Sequence, residues 1–335
     1  MSTTPLLELR RVSKHFRKPP GLLARLRNAA GLPARQAPGV VAVDDVSLSI
    51  RAGEVVGLVG ESGCGKSTLG RMAVGLHSLS AGERFWKGEL LAGASRLAPH
   101  RTSLGMQMIF QDPQASLNPR MRVQDIIGEA PVAHGIVERR RQAEYVETLL
   151  ERVGLDPAVI RHFPYQFSGG QRARLGIARA LAVEPEFLVC DEAVAALDVS
   201  IQAQILNLFL RLRDELNLTY LFISHDLHVV HHVSHRIVVM YLGRVVESIA
   251  AERLFSDANH PYTRALLAEV PSLEPAKKRF IAIRGEMPSP MAPPSGCHFH
   301  PRCPHAMPVC RSEAPPLAEI APGHHSACHL NHVSA

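Results

Sequence analysis

Three stretches of this chain carry residue types whose spacing could do chemistry. The first is Gly60-Glu61-Ser62-Gly63-Cys64-Gly65-Lys66-Ser67-Thr68, which fits G-x-x-x-x-G-K-[ST]. Such a loop wraps backbone N–H groups around a phosphate chain, and its glycines leave no Cβ in the way. Lys66 is placed to reach β- and γ-phosphates as a point charge, and the Ser67 hydroxyl to ligand Mg²⁺. The apolar run Val55–Val59 predicts a buried strand before the loop. Leu69–Leu76 predicts a helix after it, whose N-terminal amides would face the anion. The second stretch, Phe187-Leu188-Val189-Cys190-Asp191-Glu192, is an apolar strand ending in two carboxylates, where α/β sheets gather ligands. Asp191 there would hold Mg²⁺, and Glu192 would polarise an attacking water. The third, Phe167-Ser168-Gly169-Gly170-Gln171-Arg172, precedes the helical pattern Leu175–Leu181. It predicts a serine-capped helix N-terminus able to grip an anion. These residues point to a nucleotide site.

The chain that must position them has 335 residues, enough for about two domains. Its apolar fraction of 46% supplies a core, and 20% charged residues is ordinary, which excludes a disordered class. The net charge of +6 reads as a solvated basic face before it reads as a nucleic-acid surface. Leu6–Val12 predicts a first strand. Residues 17–40 place Arg17, Lys18, Arg25, Arg27 and Arg35 among prolines and glycines and read as an inserted basic loop, with one short helix at Leu22–Leu26. Val41–Ile50 predicts two strands turning at Asp44-Asp45. Phe85–Leu91 and Gly105–Phe110 predict one strand each, the latter ending at Gln111. Met121–Arg161 is helical in pattern, and Tyr145, Val146, Leu149, Leu150 and Val153 form an apolar stripe that Gly154 should stop. No apolar stretch approaches the ~18–20 residues of a spanning helix, and Met1-Ser2-Thr3-Thr4-Pro5 lacks a signal-peptide pattern. The expected compartment is the cytosol, with any membrane contact made through a partner.

Six cysteines divide into two sets. Cys64 sits in the phosphate loop and Cys190 in the apolar strand, as a small filler. Cys297, Cys303, Cys310 and Cys328 fall in the tail with spacing C-x5-C-x6-C-x17-C. A reducing cytosol disfavours disulfides, and four thiolates suit zinc or an iron–sulfur cluster. Four reduced thiols without a ligand are the plain alternative. His298, His300, His305, His324, His325 and His329 also keep a mixed Cys/His zinc site open. So short and proline-rich a tail has little core of its own, so a metal staple would be physically useful.

In chain order, the phosphate loop, Gln111, S-G-G-Q, Asp191-Glu192, Ala196-Leu197-Asp198 and Ile223-Ser224-His225-Asp226 resemble the ATP-binding cassette of ABC transporters, from about Leu6 to Val270. The resemblance implies an α/β P-loop NTPase cassette over residues 1–270, with an antiparallel β subdomain and a helical subdomain at about 113–175. A small Cys-rich C-terminal extension at 271–335 would follow. It implies an ATPase using ATP and Mg²⁺, with hydrolysis coupled to solute transport. Phe16 would stack on adenine, and Gly60, Ser62, Gly63, Gly65, Lys66, Ser67 and Thr68 would bind the phosphates. Ser67, Gln111 and Asp191 would surround Mg²⁺, Gln111 also sensing the γ-phosphate. Glu192 would act on water, and His225 would hold the γ-phosphate and that water. Ser168, Gly169, Gly170 and Gln171 would face nucleotide bound to an opposite cassette, with Asp198 across the same interface. The family usually has proline after the catalytic glutamate and often serine two residues later, where this chain has Ala193 and Ala195.

Ile109–Pro113 with Ala115–Arg120, His260-Pro261-Tyr262-Thr263-Arg264-Ala265-Leu266, and Gly285–Pro290 resemble the dipeptide/oligopeptide (peptide/nickel) importer branch. That implies import of di- and oligopeptides, or of nickel or another peptide-like solute, driven by ATP-dependent dimerisation of cassettes. Implied partners are a second ABC ATPase subunit, in a homo- or heterodimer, two transmembrane permease subunits and a periplasmic or extracellular solute-binding protein. No nucleic acid is expected. The implied place is peripheral, on the cytoplasmic face of the inner membrane. Some members of this branch carry a [4Fe–4S] cluster in the tail, which favours iron–sulfur over zinc. Rival readings are an ABC-type ATPase acting on nucleic acid or the ribosome, and a weakly active subunit paired with a stronger ATPase.

Overall fold

Burial that alternates from residue to residue makes the first two strands. In β2 (Val40–Ile50), Val46, Leu48 and Ile50 are buried while Ser47 and Ser49 face water, the period of a half-covered sheet. β1 (Leu7–Phe16) pairs antiparallel with β2 and, on its other edge, with β4 (Ala81–Trp86). The computed structural model describes residues 4–16, 39–91, 100–112, 116–269 and 285–332. The basic insertion therefore lies almost wholly outside the described residues. Val41–Ile50 is one strand and not two. Asp45 takes a left-handed backbone (φ 52°) and bulges the ladder, but both flanks keep pairing with β1. Phe85–Leu91 is a hairpin and not one strand. Lys87 (φ 52°) and Gly88 (φ 84°) form a two-residue turn between β4 and β5 (Glu89–Leu90).

The second sheet is built on short apolar runs. β3 (Val55–Val59) is buried along its whole length and lies between β8 (Thr219–Ile223) and β9 (Arg236–Tyr241), parallel to both. β7 (Phe187–Asp191) and β6 (Met106–Ile109) continue the parallel set. The pleat sends Val55 and Val59, Leu188 and Cys190, and Tyr220 and Phe222 into one core. Their neighbours Val56 and Leu58, Phe187 and Val189, and Leu221 and Ile223 enter the other. Such two-sided burial is what makes these strands continuous apolar runs. One core is shared with the antiparallel sheet and with α1 (Lys66–Ala73).

The other core is shared with the helices. These include α2 (Val123–Ala133), α3 (Gln142–Arg152), α4 (Gly169–Leu181), α5 (Val199–Leu216) and α6 (Leu227–Val233). Val146, Leu149 and Leu150 form the buried stripe of α3. Gly154 ends it as the spacing predicts: its N–H bonds the carbonyl of Glu151 (2.9 Å), and the Leu155 N–H bonds that of Leu150 (2.8 Å).

The tail does not stand apart from these layers. β10 (Arg244–Ala250) runs antiparallel to β9 and carries β12 (His324–Ser326) and β11 (Ala318–Ala321) beyond it, on the sheet edge. Phe299 is fully buried, with its ring 5.2 Å from that of Tyr241 and 5.4 Å from that of Tyr262. The tail thus borrows the main core instead of making its own.

Candidate nucleotide site

The site gathers where parallel strands end. The phosphate loop follows β3, Gln111 follows β6, Glu192 follows β7, and Ser224-His225 follows β8, the edge at which open α/β sheets bind ligands. A Cβ on Gly60 (φ 148°) would lie 2.1 Å from the Met240 carbonyl oxygen, and one on Gly65 (φ 107°) 2.1 Å from that of Ala42. Side chains at either position would push the loop off its seat. Ser62 and Gly63 are exposed at the loop, and Thr68 is half-buried in the first turn of α1. Lys66 is buried, its Nζ donating to the carbonyls of Gly60 (2.6 Å) and Glu61 (3.0 Å).

Ser67 Oγ donates to Asp191 Oδ1 at 2.7 Å, so the hydroxyl and carboxylate expected around Mg²⁺ meet although 124 residues separate them. Asp191 is buried. Burial raises its pKa above the ordinary carboxylate range, against the opposing pull of the Ser67 hydrogen bond and Arg71. A divalent cation would relieve that penalty, so the pair fits Mg²⁺. One residue on, Glu192 adopts φ 48°, a strained backbone of the kind found at functional sites. Its carboxylate accepts from Gln111 Nε2 at 2.7 Å and lies 3.6 Å from His225 Nδ1. Three groups capable of holding and polarising a water therefore converge from three strand ends. Ala193 is buried, and the Ala195 N–H closes a turn on the Glu192 carbonyl (3.1 Å).

Other expected residues sit around this centre. Ser168 caps α4, its Oγ accepting from the Gln171 N–H (3.4 Å) while Gln171 Oε1 accepts from the Ser168 N–H (3.0 Å). Ser168, Gly169 and Gln171 are exposed, and none bonds the phosphate loop. A Cβ on Gly170 would meet Ile201 Cγ2 at 2.5 Å, which keeps α4 close to α5. A cleft lined by Gln111, Asp112, Gly169, Arg172, Ala193 and Leu197 joins the two regions. Asp198 is exposed at the start of α5. Phe16 ends β1, 40% exposed, with its ring edge-on to His77 (5.4 Å) and Lys14 Nζ 5.3 Å from its centre. It can offer a face to a flat base.

Cys297, Cys303, Cys310 and Cys328 line one small cavity, with His300 and His329 at its wall. Burial pushes the Cys297 thiol up to about 11 and raises those of Cys303 and Cys328. Among the described residues, no three of His, Cys, Asp and Glu are grouped as a single metal ion requires. Sequence reasoning missed the tail's reach to the phosphate loop. Arg302 Nη1 lies 2.9 and 3.1 Å from the Glu61 carboxylate oxygens, and Tyr262 Oη accepts from the Glu61 N–H at 2.8 Å. With 241 residues between Arg302 and Glu61, no local pattern could have paired them.

Residues 43–195 match the family described as ABC transporter. Residues 246–310 match one described as oligopeptide/dipeptide transporter, C-terminal region. The oligopeptide transport ATP-binding protein AppF of Bacillus subtilis is 48% identical over 97% of this chain and 97% of its own length. A probable peptide ABC transporter ATP-binding protein of Sinorhizobium fredii is 48% identical over 91% of this chain and 87% of its own. Among solved structures, CbiO1 from Clostridium perfringens superposes with a TM-score of 0.61 at 22% identity, covering 76% of this chain and 92% of that one. The cassette MJ0796 bound to ADP and Pi gives 0.60 at 24% identity, covering 73% and 98%. These two show the shared fold. Among the described residues, no helix is long and apolar enough to cross a membrane. Strand-end carboxylates, phosphate loop and near full-length identity agree, and the chain belongs to the ATP-hydrolysing, ATP-binding proteins of ABC transporters.

Proposed function

We propose that this ATPase energises import of di- and oligopeptides by closing on ATP against a second cassette and opening after hydrolysis. The observation that carries the catalytic reading is the contact of Glu192 with Gln111 (2.7 Å) and its approach to His225 (3.6 Å). Glu192 takes a proton from the attacking water, His225 holds that water against the γ-phosphate, and Gln111 orients the carboxylate. Lys66 and the loop amides bind the β- and γ-phosphates, Ser67, Gln111 and Asp191 would hold Mg²⁺, and Phe16 stacks on adenine. Mg²⁺ neutralises charge on the phosphates when bound. The exposed N-terminus of α4 at Ser168–Gln171 and the exposed Asp198 belong to the face that meets the opposite cassette.

The peptide cargo is supported by the names of the near full-length relatives and by the match over residues 246–310. The partners that follow are a second ATPase subunit, two permease subunits and a solute-binding protein, with this chain peripheral on the inner face of the membrane. Residues 1–270 form the cassette and 271–335 the importer-type extension. Within that extension, the four thiols around one cavity support a thiolate-held [4Fe–4S] cluster, with zinc as the alternative. The test is reconstitution with the permease subunits and binding protein in vesicles. Hydrolysis should rise when peptide-loaded binding protein is added, with peptide accumulating inside. Hydrolysis that responds to nucleic acid and not to loaded binding protein would overturn the reading.

A further inference from the structure

The phosphate loop contains a charge that works against its purpose. Glu61 is its second residue, and a carboxylate there repels the triphosphate the loop must hold. The structure compensates from the tail. Arg302 Nη1 contacts both Glu61 oxygens, at 2.9 and 3.1 Å, and reaches the Tyr241 hydroxyl at 3.4 Å. The Arg302 side chain is 7% exposed and that of Glu61 26%, so water screens the pair little. Glu61 is also fixed through its main chain. Its N–H donates to Tyr262 Oη (2.8 Å), and its carbonyl accepts from Lys66 Nζ (3.0 Å) and the Cys64 N–H (3.3 Å). The residue that Arg302 grips is therefore the one whose carbonyl holds the loop lysine. Other tail residues lie against this loop and against β2. Met287 Cε lies 3.5 Å from where a Cβ on Gly63 would stand, and the Pro290 carbonyl accepts from the Val41 N–H (3.0 Å).

We propose that Arg302 is a positioning residue of the nucleotide site, neutralising and fixing Glu61 so that the phosphate loop can accept a polyanion. The tail is then the outer wall of the ATP site, whether or not its thiol cavity is filled. Arg302 acts through Glu61. The proposal goes beyond the transport reading, because it concerns nucleotide affinity alone.

The test measures binding of a fluorescent ATP analogue to the full-length chain, and KM and kcat for ATP in the assembled transporter. Arg302→Met should raise Kd and KM roughly tenfold while kcat falls by less than about threefold. Arg302→Lys, which keeps the charge, should stay within about threefold of the parent. Adding Glu61→Gln to Arg302→Met should restore affinity to within about threefold, because the repelling charge is gone. A change of packing would not be repaired by that second substitution. Arg302→Gln carries the same test if Arg302→Met does not fold, since it keeps a donor to Glu61 without the charge. Unchanged affinity in both uncharged variants would overturn the proposal. So would a loss that Glu61→Gln fails to repair in either background.

Discussion

Removing the Glu247 carboxylate should loosen the tail from the cassette by a predictable amount. Glu247 lies in β10 and is fully buried. Its Oε1 accepts from the Asn259 N–H (2.7 Å) and from His324 Nε2 (2.7 Å), and its Oε2 from the His260 N–H (3.1 Å). A carboxylate can only accept, so His324 donates from Nε2. The ladder between β10 and β12 adds two register pairs, Glu247 with Ser326 and Ser248 with His325. Glu247→Ala leaves the buried His324 and His260 donors and the partly buried Asn259 N–H without acceptors, each buried one costing about 1–3 kcal/mol. Relaxation and entry of water bring the sum down to the about 3–5 kcal/mol typical of breaking a buried pair. With a urea m-value near 3 kcal/mol/M, the midpoint should fall by about 1–1.7 M. Glu247→Gln should cost a third to a half as much. Its single oxygen can replace Oε1 for Asn259 and His324, while its amide faces the His260 N–H. Urea titration of the full-length chain gives the number, and hydrogen exchange over 318–326 gives the place. A midpoint shift below about 0.3 M for Glu247→Ala, with exchange in 318–326 unchanged, would refute this reasoning.

Two further outcomes follow from the sites. Burial raises the Asp191 pKa, so the folded cassette holds that proton more tightly than the unfolded chain. The resulting penalty is absent below the usual carboxylate range and grows as pH rises through the folded-state pKa. Asp191→Asn should therefore raise the metal-free Tm at pH 7, by about 2–4 °C per kcal/mol released, with the gain fading toward pH 4, while Mg²⁺-dependent hydrolysis is lost. An unchanged Tm at pH 7 would count against the buried charge. Protein purified without oxygen should be brown and hold about four iron and four sulfide per chain. Cys303→Ser should bleach the colour and loosen residues 285–332, whereas a colourless preparation with about one zinc per chain would replace the cluster with a single ion.

What could be read from the sequence was what local chemistry decides. The strand–loop–helix at Val55–Ala73, the serine cap at Ser168 and the stop at Gly154 depend on neighbours within a few residues. Their residue types name the geometry directly. Asp44-Asp45 misled because two aspartates look like a turn, while pairing with β1 on both flanks held the chain extended through a bulge. Phe85–Leu91 misled in the opposite sense, because Lys87-Gly88 is a weak turn signal inside an apolar run. The tail's place on the sheet, Glu247 with His324 and Glu61 with Arg302 were not legible. These are contacts between polar residues 77 and 241 positions apart, and no periodicity marks such partners. For the same reason, motif order alone linked Gln111, Glu192 and His225, and the strand ends supply the distances.

The central claim is that Glu192 activates the water that cleaves ATP at this site. Glu192→Gln keeps the side chain's shape and its place beside Gln111 and His225 but removes the base. The direct measurement is single-turnover hydrolysis of ATP trapped at this chain's site in the assembled transporter. ATP should bind as in the parent, the cassettes should stay closed, and cleavage should slow by about 10²–10⁴-fold. Trapped ATP cleaved at the parent rate would contradict the account.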